Sequence, residues 1–185
     1  MRLSKVKRVA LSEGDLFIAQ ADTGIDVRTW IGAGQAMYPV HELFMTPNLA
    51  ARIWELDEKQ ISTLRICQGD DSNQSLIIPP SVLMQLPAMA EAENGEPNME
   101  RICQIDEMII LIDNKTSEGF CFNVKYLAPV EGSRIQYFRL EGSKVIGVYS
   151  DGKLEAAIYT LKWGQLEHLS KKIDAISMAW MQERA

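Results

Sequence analysis

The stretch Val145-Ile146-Gly147-Val148-Tyr149-Ser150-Asp151-Gly152-Lys153-Leu154-Glu155-Ala156-Ala157-Ile158-Tyr159-Thr160-Leu161 decides the fold. Two runs of apolar, aromatic and β-branched residues flank Asp151-Gly152. Asp-Gly between such runs is the strongest short hairpin signal, because a type I′ turn needs positive φ at both central positions. The two runs are therefore antiparallel neighbours. Upstream, Ile135 to Leu140 reads as another strand. Between Phe120 and Tyr126 alternation puts Phe120, Phe122, Val124 and Tyr126 on one face and Asn123 and Lys125 on the other. A β block thus spans Gln104 to Lys162.

A similar block precedes it. From Lys5 to Val40, short β-type runs are broken by Ser12-Glu13-Gly14-Asp15, Asp22-Thr23-Gly24 and Gly32-Ala33-Gly34, the turn spacing of a four-stranded meander. Thr46-Pro47 places a cap and a first-turn proline before Leu49, Ile53 and Leu56 at helical spacing, and Asp57-Glu58-Lys59-Gln60 caps a second short helix. At the other end Leu166, Leu169, Ile173, Ile176 and Trp180 form one apolar helical stripe. The fold class expected is α+β: two antiparallel β-meander blocks with a helix after each, the C-terminal helix packed on a sheet. At 185 residues the chain is one domain, with sub-blocks 1–67 and 101–185 joined by an excursion over 68–100. That excursion holds four prolines and six acidic residues without Lys or Arg, yet Leu76 to Ile78 and Val82 to Leu86 are apolar enough to dock.

Charge and motifs exclude more than they assign. With 19 basic against 25 acidic residues the chain carries −6, so contact with nucleic acid requires a local basic patch, for which Arg2, Lys5, Lys7 and Arg8 are the candidates. Alternation along an edge strand puts Lys5 and Lys7 on one side. Cys67, Cys103 and Cys121 are odd in number and lie among apolar residues, which fits reduced thiols in a cytoplasm. The longest apolar run, Met108 to Ile112, is far short of a membrane span, and no leader pattern opens the chain. His41 and His168 without a Cys-x-x-Cys pair do not make a zinc site. Gly32-Ala33-Gly34 runs into a strand rather than a helix, so it lacks the helix N-terminus that a dinucleotide requires. Asp70-Asp71 reads as a solvated loop. No cofactor is expected.

Trp30-Ile31-Gly32-Ala33-Gly34-Gln35-Ala36-Met37-Tyr38-Pro39-Val40, followed by Thr46-Pro47, resembles small uncharacterised proteins of prophages and integrative elements of clostridia-like bacteria. The resemblance covers about a third of the chain and implies context rather than mechanism. The run from Val145 to Leu161 is also similar to the closing hairpin of DNA sliding clamps, which implies a processivity role as an alternative. The function expected is that of a non-catalytic interaction or accessory protein, binding another protein or a second copy of itself. Met178, Trp180 and Met181 near the C-terminus, with Lys5 and Lys7, are its candidate surface. A rival from another class is an enzyme site assembled from His41 with Asp106 or Glu107, whose mark is a deep polar pocket holding them together. The purified protein is expected to carry neither stoichiometric metal by elemental analysis nor bound nucleotide by absorbance.

Overall fold

The computed structural model describes residues 2–22, 27–40, 49, 51–52, 54–63, 65–69, 77–89 and 93–162. Strands dominate it: β1 (Asp15–Asp22), β2 (Val27–Ala33), β3 (Ala36–Val40), β4 (Arg65–Gly69), β5 (Met99–Ile105), β6 (Met108–Asp113), β7 (Gly119–Asn123), β8 (Ile135–Arg139), β9 (Val145–Ser150), β10 (Lys153–Tyr159) and β11 (Leu161–Lys162). The helices are short: α1 (Leu3–Glu13), α2 (Glu58–Thr63), α3 (Pro80–Gln85) and two 3-10 turns at Leu86–Ala88 and Val124–Leu127. The expected α+β class is thus corrected to a mainly β one, and the two meander blocks to a single sheet. Its order is β11-β7-β6-β5-β8-β9-β10-β3-β2-β1-β4, antiparallel except where β4 joins β1, and it curls into a half-barrel. The two blocks fuse because β10 pairs with β3 at Ala157 to Met37 and Ile158 to Ala36. Nothing local in either segment encodes that pairing. The helix expected at Leu166 to Trp180 lies outside the described residues, as does the start of the helix expected at Thr46-Pro47.

The strand expected over Lys5 to Leu11 is α1. Leu3, Val6, Val9 and Ala10 satisfy the 3.6-residue period as well as Val6 and its neighbours satisfy alternation, and Gly14 ends the run in the left-handed region with φ 74°, its N–H donating to the Ala10 carbonyl. The start of α2 was legible: Gln60 N–H donates to Asp57 Oδ1 at 2.7 Å, and Asp57 N–H to Gln60 Oε1 at 3.2 Å. That is a reciprocal capping box. The hairpin signal also holds, since Asp151 and Gly152 take φ of 50° and 78° between β9 and β10. This hairpin lies mid-sheet, flanked by β8 and β3.

The inner face of the curl buries Leu16, Ile18, Ile31, Tyr38, Ile109, Leu111, Phe120, Phe122, Ile146 and Val148 against Val6, Val9 and Ala10 of α1. On the outer face, Phe17, Trp30, Met37, Phe138 and Tyr149 are covered by Ile78, Leu83, Leu86 and Met89. Residues 77–89 of the excursion are therefore a wall of the core. Leu83 and Leu86 have no exposed surface, and burying each is worth roughly 1.5–3 kcal/mol. The Tyr149 hydroxyl donates to the Leu86 carbonyl. Gly147 makes room for the wall, since a Cβ there comes within 2.8 Å of the Tyr149 ring and 3.4 Å of Leu86. With both faces covered, β3 and β9 are buried at every residue, so their sequences read as continuous apolar runs.

One junction in the sheet is thin. β5 and β8 share a single paired position, Met99 with Tyr137. Continuing that register sets Pro97 opposite Arg139, and proline has no N–H to donate. The Asn98 carboxamide substitutes for it: Nδ2 donates to the Arg139 carbonyl at 3.0 Å and Oδ1 accepts the Arg139 N–H at 2.7 Å. Asn98→Ala removes both bonds and is expected to lower unfolding free energy by about 1–3 kcal/mol in urea titrations. Asn98→Asp keeps the acceptor for the Arg139 N–H but sets a carboxylate oxygen against the Arg139 carbonyl in a buried place, and is expected to lose at least as much as Asn98→Ala at neutral pH.

Candidate functional site

Beyond Met99 the two strands part. β8 begins only at Ile135, and the chain before it folds back on itself: Ala128 N–H donates to the Lys125 carbonyl, Val130 N–H to the Leu127 carbonyl, and Gly132 takes φ of 101°. β5 meanwhile continues to Ile105 along β6, with a register shift between Arg101 and Cys103 that leaves Ile102 as a bulge. The side of β5 that faces away from β6 therefore has no backbone partner from Ile102 to Ile105 among the described residues. Among the described residues, an interior strand of the sheet is left unpaired on one side there. Bulges concentrate at such edges and beside binding sites, where they re-aim side chains.

Side chains at this edge differ by face. Arg101 pairs with Leu111 and Gln104 with Ile109, both inner-face residues, so Arg101 and Gln104 sit at the rim of the inner face, exposed, with Arg101 Nη2 donating to Gln104 Oε1 at 3.2 Å. Burial raises the Tyr137 phenol pKa, and Arg101 beside it pulls the other way. Arg134, just before β8, is exposed. On the outer side Cys103 and Ile105 join Met108, Ile110, Cys121 and Leu161. Cys103, Ile110, Cys121 and Leu161 form one transverse row, because they are paired in register. The two thiols are thus two strand spacings apart, roughly 9.6 Å, too far for a disulfide. Burial pushes the Cys103 thiol up, with Arg101 opposing, and Cys121 up to about 11, so both stay protonated at neutral pH.

Sequence reasoning missed this edge and two polar clusters. In the first, Asp113 and Arg139 form an ion pair closed to solvent: Arg139 Nε and Nη2 reach Asp113 Oδ2 at 2.7 and 2.6 Å, Nη1 donates to the Ser143 carbonyl at 3.1 Å, and the guanidinium lies 4.8 Å from the Phe120 ring centre. Asp113 Oδ1 accepts the Lys115 and Thr116 N–H groups at 2.8 Å each. A charged residue inside the apolar run Tyr137-Phe138-Arg139-Leu140 was the available signal, since a buried charge demands a partner. In the second, Glu13 at the end of α1 pairs with Lys125 and lies in hydrogen-bonding contact with Tyr126. Asp15 Oδ1 accepts the Gly34 N–H at 2.7 Å, and the Tyr38 hydroxyl donates to the Tyr126 carbonyl at 2.9 Å. Burial first, then the Glu13 carboxylate, push the Tyr126 phenol up to about 12. Gly34 has φ of 55°, and a Cβ there comes within 2.7 Å of both Glu13 Oε2 and the Tyr126 hydroxyl. This cluster clasps α1, β1, the turn between β2 and β3, and the Val124–Leu127 turn.

The residues singled out from sequence are dispersed. Lys5 and Lys7 lie on a helix rather than an edge strand, and two residues along a helix is more than half a turn, so they share no face. Lys7 donates to the Trp54 carbonyl, and Arg2 pairs with Glu131 at 2.8 Å. Asp106 and Glu107 are exposed in the turn between β5 and β6, where Gln104 Nε2 donates to the Asp106 carbonyl at 3.0 Å and Asn123 Nδ2 to Glu107 Oε2 at 3.1 Å. Met178, Trp180, Met181, His41, His168, Asp70 and Asp71 lie outside the described residues, while Cys67 stands in β4 opposite Phe17 of β1. Among the described residues no group of His, Cys, Asp and Glu is arranged to hold a metal, and no helix is long and apolar enough to cross a membrane.

The Asp113 pair makes a pH prediction. Burial raises its carboxyl pKa, but the Thr116 N–H, the Arg139 guanidinium and the Lys115 N–H outweigh that and hold it below the ordinary 3.8. A depressed folded-state pKa adds stability that is complete above the unfolded value and is lost as pH falls through the folded one. Asp113→Asn is expected to lower unfolding free energy by about 3–5 kcal/mol at neutral pH, the cost of leaving Arg139 buried and unpaired. In urea titrations the gap between the variant and the native protein should narrow as pH falls below 3.8.

No family model matches the chain, and neither does any curated protein or any solved structure.

Proposed function

We propose that the protein is a non-catalytic interaction protein, an accessory factor of a prophage or other mobile element, that holds a partner at the open edge of β5. The observation that carries this reading is the interior strand left unpaired from Ile102 to Ile105 among the described residues. Exposed backbone N–H and C=O groups in a row are a template for another chain, and folded proteins usually cover or shorten such edges. The polar clusters of the fold support the same reading, because Asp113, Arg139, Glu13 and Lys125 are engaged with one another and tie elements together. The mobile-element context rests on the sequence from Trp30 to Val40. Free Cys103 and Cys121 fit a reducing cytoplasm as its place of action.

Ile102 is the residue through which to test this, since the register between β5 and β6 skips it. Ile102→Pro puts a proline on the edge at a bulge, where proline is tolerated and obstructs strand addition, and Ile102→Lys places a charge on the edge as a second route to the same block. Tagged native protein recovered from its own cells is expected to carry one protein near equal stoichiometry. Either substitution should deplete that protein about tenfold while the melting temperature stays within a few degrees of native. A native protein that retains nothing stoichiometrically, or folded variants that retain the same partner undiminished, overturn the reading.

A further inference from the structure

We infer that the edge of β5 receives an extended segment bearing an acidic residue, which adds to the sheet as a strand with its carboxylate against Arg101. The inference rests on the interaction reading above and specifies the chemistry of the occupant.

Three observations carry it. The slot is bounded on one side by β5 and on the other by the start of β8, which stays joined to β5 only at Met99 and Tyr137. An interior strand that loses its neighbour part-way suits a single extended chain better than the edge of another folded sheet. Second, the backbone on offer runs from Ile102 to Ile105, and main-chain bonding of this kind supplies affinity that does not depend on the incoming side chains. Third, the charge at the slot opposes that of the molecule. The chain carries −6, yet Arg101 is exposed at the inner rim, and its contacts there with the Gln104 carboxamide and the Tyr137 phenol are to neutral groups.

Nearby groups set the register. Glu131 is taken by Arg2, while Asp106 and Glu107 stand at the far end of the slot. An acidic side chain is therefore attracted at the Arg101 end and repelled at the Asp106 end, so the carboxylate belongs opposite Arg101. Alternation follows from the faces of β5: side chains of the segment toward the inner rim meet Arg101 and Gln104, and those toward the outer face meet Cys103 and Ile105. The fitting partner is a strand with apolar residues on one side and polar residues with a carboxylate on the other. A second copy of this chain fits less well, because an antiparallel pairing of β5 with itself centred on Cys103 sets Glu100 against Asp106.

The probes are blocked peptides about eight residues long, of alternating Val and Thr with one central Glu or, in the counterpart, one central Lys. The Glu peptide is expected to bind the full chain in fluorescence anisotropy, about tenfold more tightly than the Lys peptide at low salt, with the difference shrinking as salt screens the charges. N-methylation at alternate amides should abolish binding in one phase of the alternation and not the other, since only one set of amides faces β5. Arg101→Glu, a change at an exposed residue, is expected to reverse the preference between the peptides with an unchanged melting temperature. Equal binding of the two peptides, binding indifferent to N-methylation, absence of binding, or a stable dimer of the native chain that Ile102→Lys dissociates each overturn the inference. If the peptides fail while Ile102→Lys still sheds the cellular partner, the acidic-strand inference falls and the interaction reading stands. If the peptides bind while the cellular partner is held elsewhere, the interaction reading falls instead.

Discussion

The Asn98 carboxamide and the Arg139 backbone together bridge the weakest line in the sheet. On one side of that line stand β11, β7, β6 and β5, on the other β8 through β4. Pro97 removes the donor that an ordinary ladder would use, so a side chain must do the pairing. Arg139 then carries a second duty, because its guanidinium is anchored on Asp113 at the end of β6. One residue thus grips β5 through its main chain and β6 through its side chain. Such an arrangement is strong where it is closed and offers nothing beyond its reach. The opening past Met99 is the other face of the same constraint: the junction is pinned at one end, and β8 parts from β5 although it runs on to Ile135.

Curling makes this geometry consequential. In a flat sheet, Arg101 and Gln104 lie on an ordinary polar face. Here the inner face closes around α1, so a polar residue on it is admitted only at the rim, where β5 outruns β8. The clasp formed by Glu13, Lys125 and Tyr126 draws the turn between β2 and β3 toward the turn after β7, segments well apart in strand order. The Tyr38 hydroxyl reaches the Tyr126 carbonyl across the same interval. These contacts maintain the curl and therefore the position of the rim.

What the sequence revealed follows from how local each signal is. The Asp151-Gly152 turn, the Asp57 to Gln60 capping box and the strands around Leu16, Val27 and Ala36 are decided by a few adjacent residues, and all were legible. α1 was misread because Lys5, Val6 and Lys7 alternate while Leu3, Val6, Val9 and Ala10 also keep helical period, and only docking on the inner face decides between them. β5 escaped notice because its first residues follow Pro97 and carry Glu100 and Arg101, a polar pattern that an open edge permits and a covered strand does not. The single sheet was invisible for a different reason. The contact between β10 and β3 joins segments with no shared local pattern, and the apolar runs of both fit a smaller sheet equally well. The edge of β5 is illegible in principle from composition, since it is defined by where β8 begins.

The pairing of β3 with β10 also sets a timetable. Ala36 leaves the ribosome about 120 residues before its partner Ile158. At typical rates of synthesis, roughly 5–20 residues per second, the first three strands wait on the order of ten seconds for the hairpin that covers their edge. During that interval Met37 and Trp30 also lack the wall supplied later by Leu83 and Leu86. The nascent chain thus passes through a stage in which an apolar edge and an apolar face are bare together, the condition under which newly made chains enlist chaperones or aggregate. Pro39, which stands in β3 opposite Trp30, removes one N–H from that waiting edge. A residue with no evident use in the finished sheet has one while the sheet is being made.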